Sequence, residues 1–149
     1  LRTVDIKSLN IKTTVLCILC CFFAFTTVQG QKTIQELLMS THWESQNFWD
    51  ESESGYVKLA EKTRTYVENI NGSKDSINYV YYLSDTPDTS FDETKVGKSI
   101  NGEYIIENGG KYVFVTKIVE LSPSKLVVVK MIPGFDSYGH KIVYFPVQP

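Results

Sequence analysis

Two runs of β-branched and aromatic residues, joined by a short turn, form the strongest pattern in the chain and occupy residues 111–131. Both runs are rich in valine, and Pro123 lies between them. Such residues favour the half-buried surface of a sheet, and proline interrupts a strand because it has no N–H to donate. Lysines and Glu120 interrupt both runs, which favours an antiparallel hairpin with one face in water over a buried parallel sheet.

Shorter segments on either side of this hairpin predict further strands. They lie at residues 41–49, 56–59, 63–70, 77–83, 96–98, 102–107 and 140–145. Turn signals such as Asn71-Gly72 and Pro133-Gly134 separate them at nearly regular intervals, with the polar stretch 50–55 as a loop. We therefore predict an all-β fold of about eight antiparallel strands, either a sandwich or a closed barrel.

A short helix is predicted before the first strand. Thr33 and Glu36 have the spacing of a capping box, in which each side chain accepts a hydrogen bond from the other's backbone N–H. The helix should extend to about Met39, and packing against one end of the barrel would stabilise it.

The N-terminal segment has the pattern of a secretory signal peptide. Arg2, Lys7 and Lys12 precede an apolar run of eleven residues, 15–25, which is too short for the roughly 20 residues that a membrane span needs. Small residues at Val28 and Gly30 fit cleavage after Gly30. We expect residues 1–30 to be a signal peptide, residues 31–149 to be the barrel domain, and the protein to be exported to the periplasm or the extracellular space.

Cleavage there would leave a chain without thiols, because Cys17, Cys20 and Cys21 all lie within the apolar run. No disulfide or zinc–cysteine site could then form. Lipid attachment at Cys20 or Cys21 is less expected, because Leu19 or Cys20 stands where a small residue should precede the modified cysteine.

Charge excludes two classes of partner. Removal of residues 1–30 takes away three of fifteen basic and one of seventeen acidic residues, so that the formal net charge goes from −2 to −4. A mildly acidic chain without a basic cluster argues against nucleic acid and against anionic membranes as partners.

Residues for catalysis or metal binding are few. The two histidines, His42 and His140, fall on the first and last predicted strands, which are neighbours in such a barrel and could bring them together. Four carboxylates lie in the polar loop 85–93, without the spacing of a calcium loop. We predict no catalytic residues, no metal and no cofactor, and we expect the protein not to be an enzyme.

Aromatic residues suggest a binding site instead. An eight-stranded barrel is just wide enough to be filled by side chains or to hold one small ligand. Tyrosines that point inward would give such a cavity apolar walls with polar tips, although the same rings could simply fill the core. The candidate ligand-binding residues are Trp43, Tyr79, Tyr81, Tyr104, Phe114 and Tyr144.

Residues 33–145 resemble small exported lipocalin-like proteins of Bacteroidetes, which have calycin-type barrels. The resemblance is carried by Asn101-Gly102-Glu103-Tyr104-Ile105-Ile106 and by the segment 117–127, KIVELSPSKLV. It implies a lipocalin-like, antiparallel up-and-down barrel of about eight strands with a short N-terminal helix. Two lipocalin features are changed here: Thr41 replaces the glycine of the G-x-W motif before Trp43, and the last strand offers Lys141 instead of an arginine.

Two functional hypotheses follow. The first is a binding module for a small apolar ligand. The second is a protein–protein interaction factor with a filled core, such as an inhibitor, an immunity protein or an envelope-complex subunit, which would present the acidic segments 50–53 and 85–93 to a basic partner.

Overall fold

A computed structural model of the protein describes residues 31–45, 53–70, 72–132 and 135–147. The proposed signal peptide, its cysteines and the end of the first predicted strand lie outside these ranges. The described elements are helix α1 (Ile34–Met39), strands β1 (His42–Ser45), β2 (Glu53–Leu59), β3 (Thr63–Ile70) and β4 (Ser73–Ser84), a 3-10 helix (Glu93–Lys95), and strands β5 (Tyr104–Asn108), β6 (Val113–Ser122), β7 (Lys125–Ile132) and β8 (Phe135–Val147).

The strands form one sheet that closes on itself in sequence order, β1 to β8. Every neighbouring pair is antiparallel, and β1 pairs with β8 to close the ring. The prediction of an all-β fold with about eight antiparallel strands is therefore confirmed. The ring closes where β1 pairs with β2 on one side and with β8 on the other.

Helix α1 covers one end of the barrel. Thr33 Oγ1 accepts from the Glu36 N–H at 3.1 Å, while Glu36 Oε2 accepts from the Thr33 N–H at 2.7 Å. Gln35 is buried, and its side-chain amide donates to the Glu61 carbonyl in the turn between β2 and β3. The helix thereby carries Leu38 into the core at this end of the barrel.

Four segments differ from the sequence prediction. Strand β4 begins at Ser73, before the predicted residue 77, and β8 begins at Phe135, within the predicted loop, because each extends the pairing with its neighbour.

Residues 96–98 were predicted as a strand but form a turn after the 3-10 helix, because the Asp92 side chain caps that helix and Gly97 has a positive φ of 70°. Strand β2 begins at Glu53, inside the stretch predicted as a loop, because its pairing with β3 continues as far as Ile70.

Candidate functional site

The side-chain alternation of the strands divides the inside of the barrel from its outside. Cross-strand partners project to the same face, so the pairs Arg64–Tyr79, Tyr81–Glu107 and Ile105–Thr116 mark one continuous surface. Most of the core cluster belongs to this surface, which is therefore the inner one.

The end of the barrel near α1 is filled. Its apolar side chains are fully or almost fully buried and include Leu38, Trp43, Leu59, Tyr81, Leu83, Ile105 and Leu126. Trp43 Nε1 donates to the Leu38 carbonyl at 2.8 Å, which joins β1 to the helix. The Tyr81 hydroxyl donates to the Ala60 carbonyl, also at 2.8 Å. This end of the barrel is a packed core.

A buried ion pair lies above that core. Arg64 Nη1 and Glu107 Oε2 are 3.2 Å apart, and the two side chains are only 1% and 2% exposed. The Tyr66 hydroxyl lies 3.0 and 3.2 Å from the two carboxylate oxygens of Glu107. The Arg64 guanidinium also lies over the Tyr66 ring, 4.7 Å from its centroid. These three residues form a polar layer across the barrel.

Tyr66 and Arg64 both keep their protons at neutral pH. Burial raises the pKa of Tyr66 far above its ordinary value, against an opposing effect of Arg64, so the hydroxyl stays protonated. Burial acts to lower the pKa of Arg64, but Glu107, Tyr66 and Tyr144 outweigh it and raise that pKa. Tyr66 can therefore serve as a hydrogen-bond donor to Glu107 throughout the physiological range.

An open cavity of about 260 Å³ occupies the inside of the barrel beyond this layer. The residues that line this cavity lie near the β3–β4 and β5–β6 turns, at the end of the barrel opposite α1. Aromatic and apolar side chains on its wall are Tyr66, Ile77, Tyr79, Phe114 and Met131, and the polar ones are Glu68, Glu107, Thr116 and Lys130. Ile77 and Phe114 are 49% and 44% exposed, so the cavity opens to solvent past these two side chains.

The aromatic wall is held by ring contacts. The Tyr79 ring stands edge-on to Tyr66 at 5.8 Å and to Phe114 at 5.6 Å between centroids. Such edge-to-face pairs are favourable because the positive edge of one ring meets the negative face of the other. Lys130 Nζ lies 5.7 Å from the centroid of Tyr66.

A second cavity of about 160 Å³ lies next to the first. Tyr66, Glu68 and Lys130 line both, so these side chains separate two parts of one lumen. His140 and the buried Tyr144 line only the second. The lumen is thus filled at one end and open at the other.

The six ligand-binding residues predicted from the sequence lie in three places. Tyr79 and Phe114 line the larger cavity and Tyr144 lines the smaller one. Trp43 and Tyr81 are wholly buried in the packed end. Tyr104 pairs with Lys117 on the outer face, where Lys117 Nζ lies 5.6 Å from its ring centroid.

Sequence reasoning missed the polar members of the site. Arg64 and Tyr66 share the inner face of β3, and Glu107 shares that of β5 with Ile105, but the two strands are far apart in the chain. The sequence offers one signal for Arg64 and Glu107. Each lies two residues along its strand from an inward-facing aromatic or apolar residue, and therefore on the same face.

The sequence predicts that loop 85–93 presents negative charge to a partner, but part of that charge is paired within the protein itself. Asp88 accepts hydrogen bonds from Tyr82 and Lys95, each at 2.8 Å, and from Thr86 at 2.7 Å. Partial burial acts to raise the pKa of Asp88, but these bonds outweigh it and hold the pKa at about 2. The loop is thereby fastened over the outer face, where Tyr82 packs against Phe91.

The two histidines do not form a shared site. β1 and β8 are neighbours as predicted, but His42 pairs with Val147, seven residues along β8 from His140. At about 3.3 Å per residue, this separation exceeds 20 Å. His42 stacks on Tyr56 with 5.0 Å between ring centroids, whereas His140 lines the smaller cavity.

Comparison with known proteins yields no relative. No protein-family model, curated protein or solved structure matches this chain. Within the described ranges, no helix has the length and apolar character to cross a membrane, and no cluster of three or more His, Cys, Asp or Glu could hold a metal ion.

Proposed function

We propose that this protein is a small-molecule binding module whose ligand occupies the lumen of the barrel. The observation that carries the proposal is the unequal filling of the interior, which is packed near α1 and open at the cavity of about 260 Å³. Ligand sites are typically concave, with mostly apolar walls and a few convergent polar groups. A volume just below the usual range of roughly 300–1,000 Å³ favours a small ligand.

We further propose that the protein is an exported, lipocalin-like barrel. This rests on the apolar run at 15–25 after three basic residues and on the resemblance carried by residues 101–106 and 117–127. Eight antiparallel strands in sequence order, with a helix over one end, are compatible with such a barrel. Export would expose the protein to small molecules outside the cytoplasm, which suits a carrier or scavenger.

Native mass spectrometry of the purified protein, followed by displacement of an environment-sensitive apolar dye, tests the proposal. We expect a bound small molecule or a saturable dye signal that Tyr79→Ala reduces about tenfold, because that change removes the ring between Tyr66 and Phe114. Tyr104→Ala is the matched control, since it removes the same ring from the outer face. Equal loss in the two variants, or no saturable binding at all, would reject the lumen as the site and leave the interaction-factor hypothesis.

A further inference from the structure

Building on the proposed binding function, we infer the class of ligand: a small, neutral molecule with a flat apolar body and a hydrogen-bond donor at one end. The donor end contacts Glu107 at the floor of the cavity. The flat body lies against Tyr79 and Phe114.

The charges at the cavity floor, where Glu107 of the polar layer lies, are balanced. Glu107 is balanced by Arg64 at 3.2 Å, and both are almost completely buried. An anionic ligand would meet the Glu107 carboxylate there, while a cation would compete with Arg64 for the same oxygens. Burying an unbalanced charge is costly, so the balanced pair favours a neutral group.

Within the part of the chain that the structure describes, Glu107 has unused hydrogen-bond acceptor sites that face the cavity. A carboxylate offers about four lone-pair sites, and Glu107 accepts only from Arg64 and Tyr66 among the described residues. Arg64 also has spare capacity, since Nε and Nη2 lack partners within the described structure, but it is fully buried and is not part of the cavity wall. At the floor the remaining acceptor sites of Glu107, together with the Thr116 hydroxyl, favour a donor, whereas Lys130 on the wall has its Nζ over the Tyr66 ring.

Aromatic rings form much of the cavity wall. Tyr66, Tyr79 and Phe114 follow one another edge-to-face across neighbouring strands, and Met131 completes the apolar surface. A flat ring can stack or stand edge-on against such a wall, which adds to the burial of its surface. The small volume limits the body to about one ring with a short substituent.

Isothermal titration of the full-length protein with four single-ring probes at pH 7 tests the inference. The probes are 4-ethylphenol, its methyl ether, 4-ethylbenzoate and 4-ethylbenzylammonium, which differ only in the polar end. We expect the phenol to bind at least about tenfold more tightly than the other three, because a hydrogen bond to a charged acceptor has at least that effect.

Two variants locate the donor contact. Glu107→Gln should reduce the preference for phenol over ether while ether binding persists. Tyr66→Phe keeps the carboxylate and removes the one hydroxyl proton that Glu107 accepts from Tyr66, so it should increase that preference several-fold, which provides a readout if Glu107→Gln does not fold.

The outcomes separate this inference from the proposed function. Equal binding of phenol and ether, or tightest binding of the benzoate or the ammonium, would overturn the ligand class while leaving the cavity as a binding site. An unchanged preference in Tyr66→Phe would overturn the contact with Glu107. Absence of binding by all four probes, together with absence of dye binding, would overturn both.

Discussion

The buried pair Arg64–Glu107 gives the sharpest prediction about stability. Its atoms lie 3.2 Å apart and the side chains are 1% and 2% exposed, so removing one leaves the other charge unpaired with little access to water. Arg64→Met should therefore lower the free energy of unfolding by about 3–5 kcal/mol, the usual cost of leaving one buried charge unpaired. That is a large part of the 5–15 kcal/mol typical of a whole domain.

The double variant Arg64→Met/Glu107→Leu should recover most of this loss. It removes both charges and fills the layer with apolar side chains of similar size, a replacement that is often neutral or stabilising. Urea denaturation followed by circular dichroism measures the single variants Arg64→Met and Glu107→Leu, the double variant and the parent, and closes a double-mutant cycle.

An exposed ion pair supplies the control. Lys125 Nζ and Glu120 Oε2 are 2.8 Å apart, but the side chains are 37% and 49% exposed. Lys125→Met should cost less than about 1 kcal/mol despite the shorter distance, because water screens this pair. A loss below 1 kcal/mol for Arg64→Met, or a double variant less stable than either single one, would refute the buried-pair reasoning.

Three further predictions concern the loop, a turn and the helix contact. Asp88→Asn should destabilise the protein by about 1 kcal/mol above pH 4 and have little effect near pH 2. The pKa of Asp88 in the folded protein, about 2, lies below the ordinary 3.8. The ionised side chain therefore stabilises the fold above pH 4, and this stabilisation is lost as the pH falls toward 2. Gly102→Ala should lower the melting temperature by several degrees, because its Cβ would lie 2.5 Å from the Ser84 carbonyl oxygen at a φ of 148°. Trp43→Phe should cost about 1–3 kcal/mol by leaving the buried Leu38 carbonyl without its donor.

Each of these has its own check. For the loop, the measurement is urea denaturation across pH 2 to 7 with Asp85→Asn, an exposed carboxylate of the same loop, as the comparison, and a pH-independent difference for Asp88→Asn would be inconsistent with the reasoning. For the turn, Gly110→Ala is the comparison in thermal melts, since its Cβ would contact nothing within 4 Å; both positions have positive φ, and only the first adds a steric clash. For the helix contact, a Trp43→Phe variant as stable as the parent would contradict the hydrogen bond's contribution.

The strands could be predicted because their side chains alternate strongly. Alternation in 77–83 predicts that Tyr79, Tyr81 and Leu83 share one face of a strand, and the structure places all three on the inner face of β4. The hairpin of β6 and β7 was equally clear, with Pro123 in the turn.

Residues that depend on long-range register could not be predicted. Arg64 and Glu107 are 43 residues apart and meet because β4 lies between their strands, a relation set by two successive hairpin registers. The filled and open ends of the lumen also depend on the placement of α1, which decides that Trp43 and Tyr81 are core residues while Tyr79 lines a cavity.

An NMR titration with 4-ethylphenol tests the central claim most directly, because it reports where the molecule binds as well as whether it binds. Saturable shifts should concentrate at Tyr79, Phe114 and Thr116, which line the larger cavity, while Tyr104 on the outer face should not move. Shifts confined to the outer face of the barrel, or spectra unchanged at millimolar probe, would contradict a ligand-binding lumen.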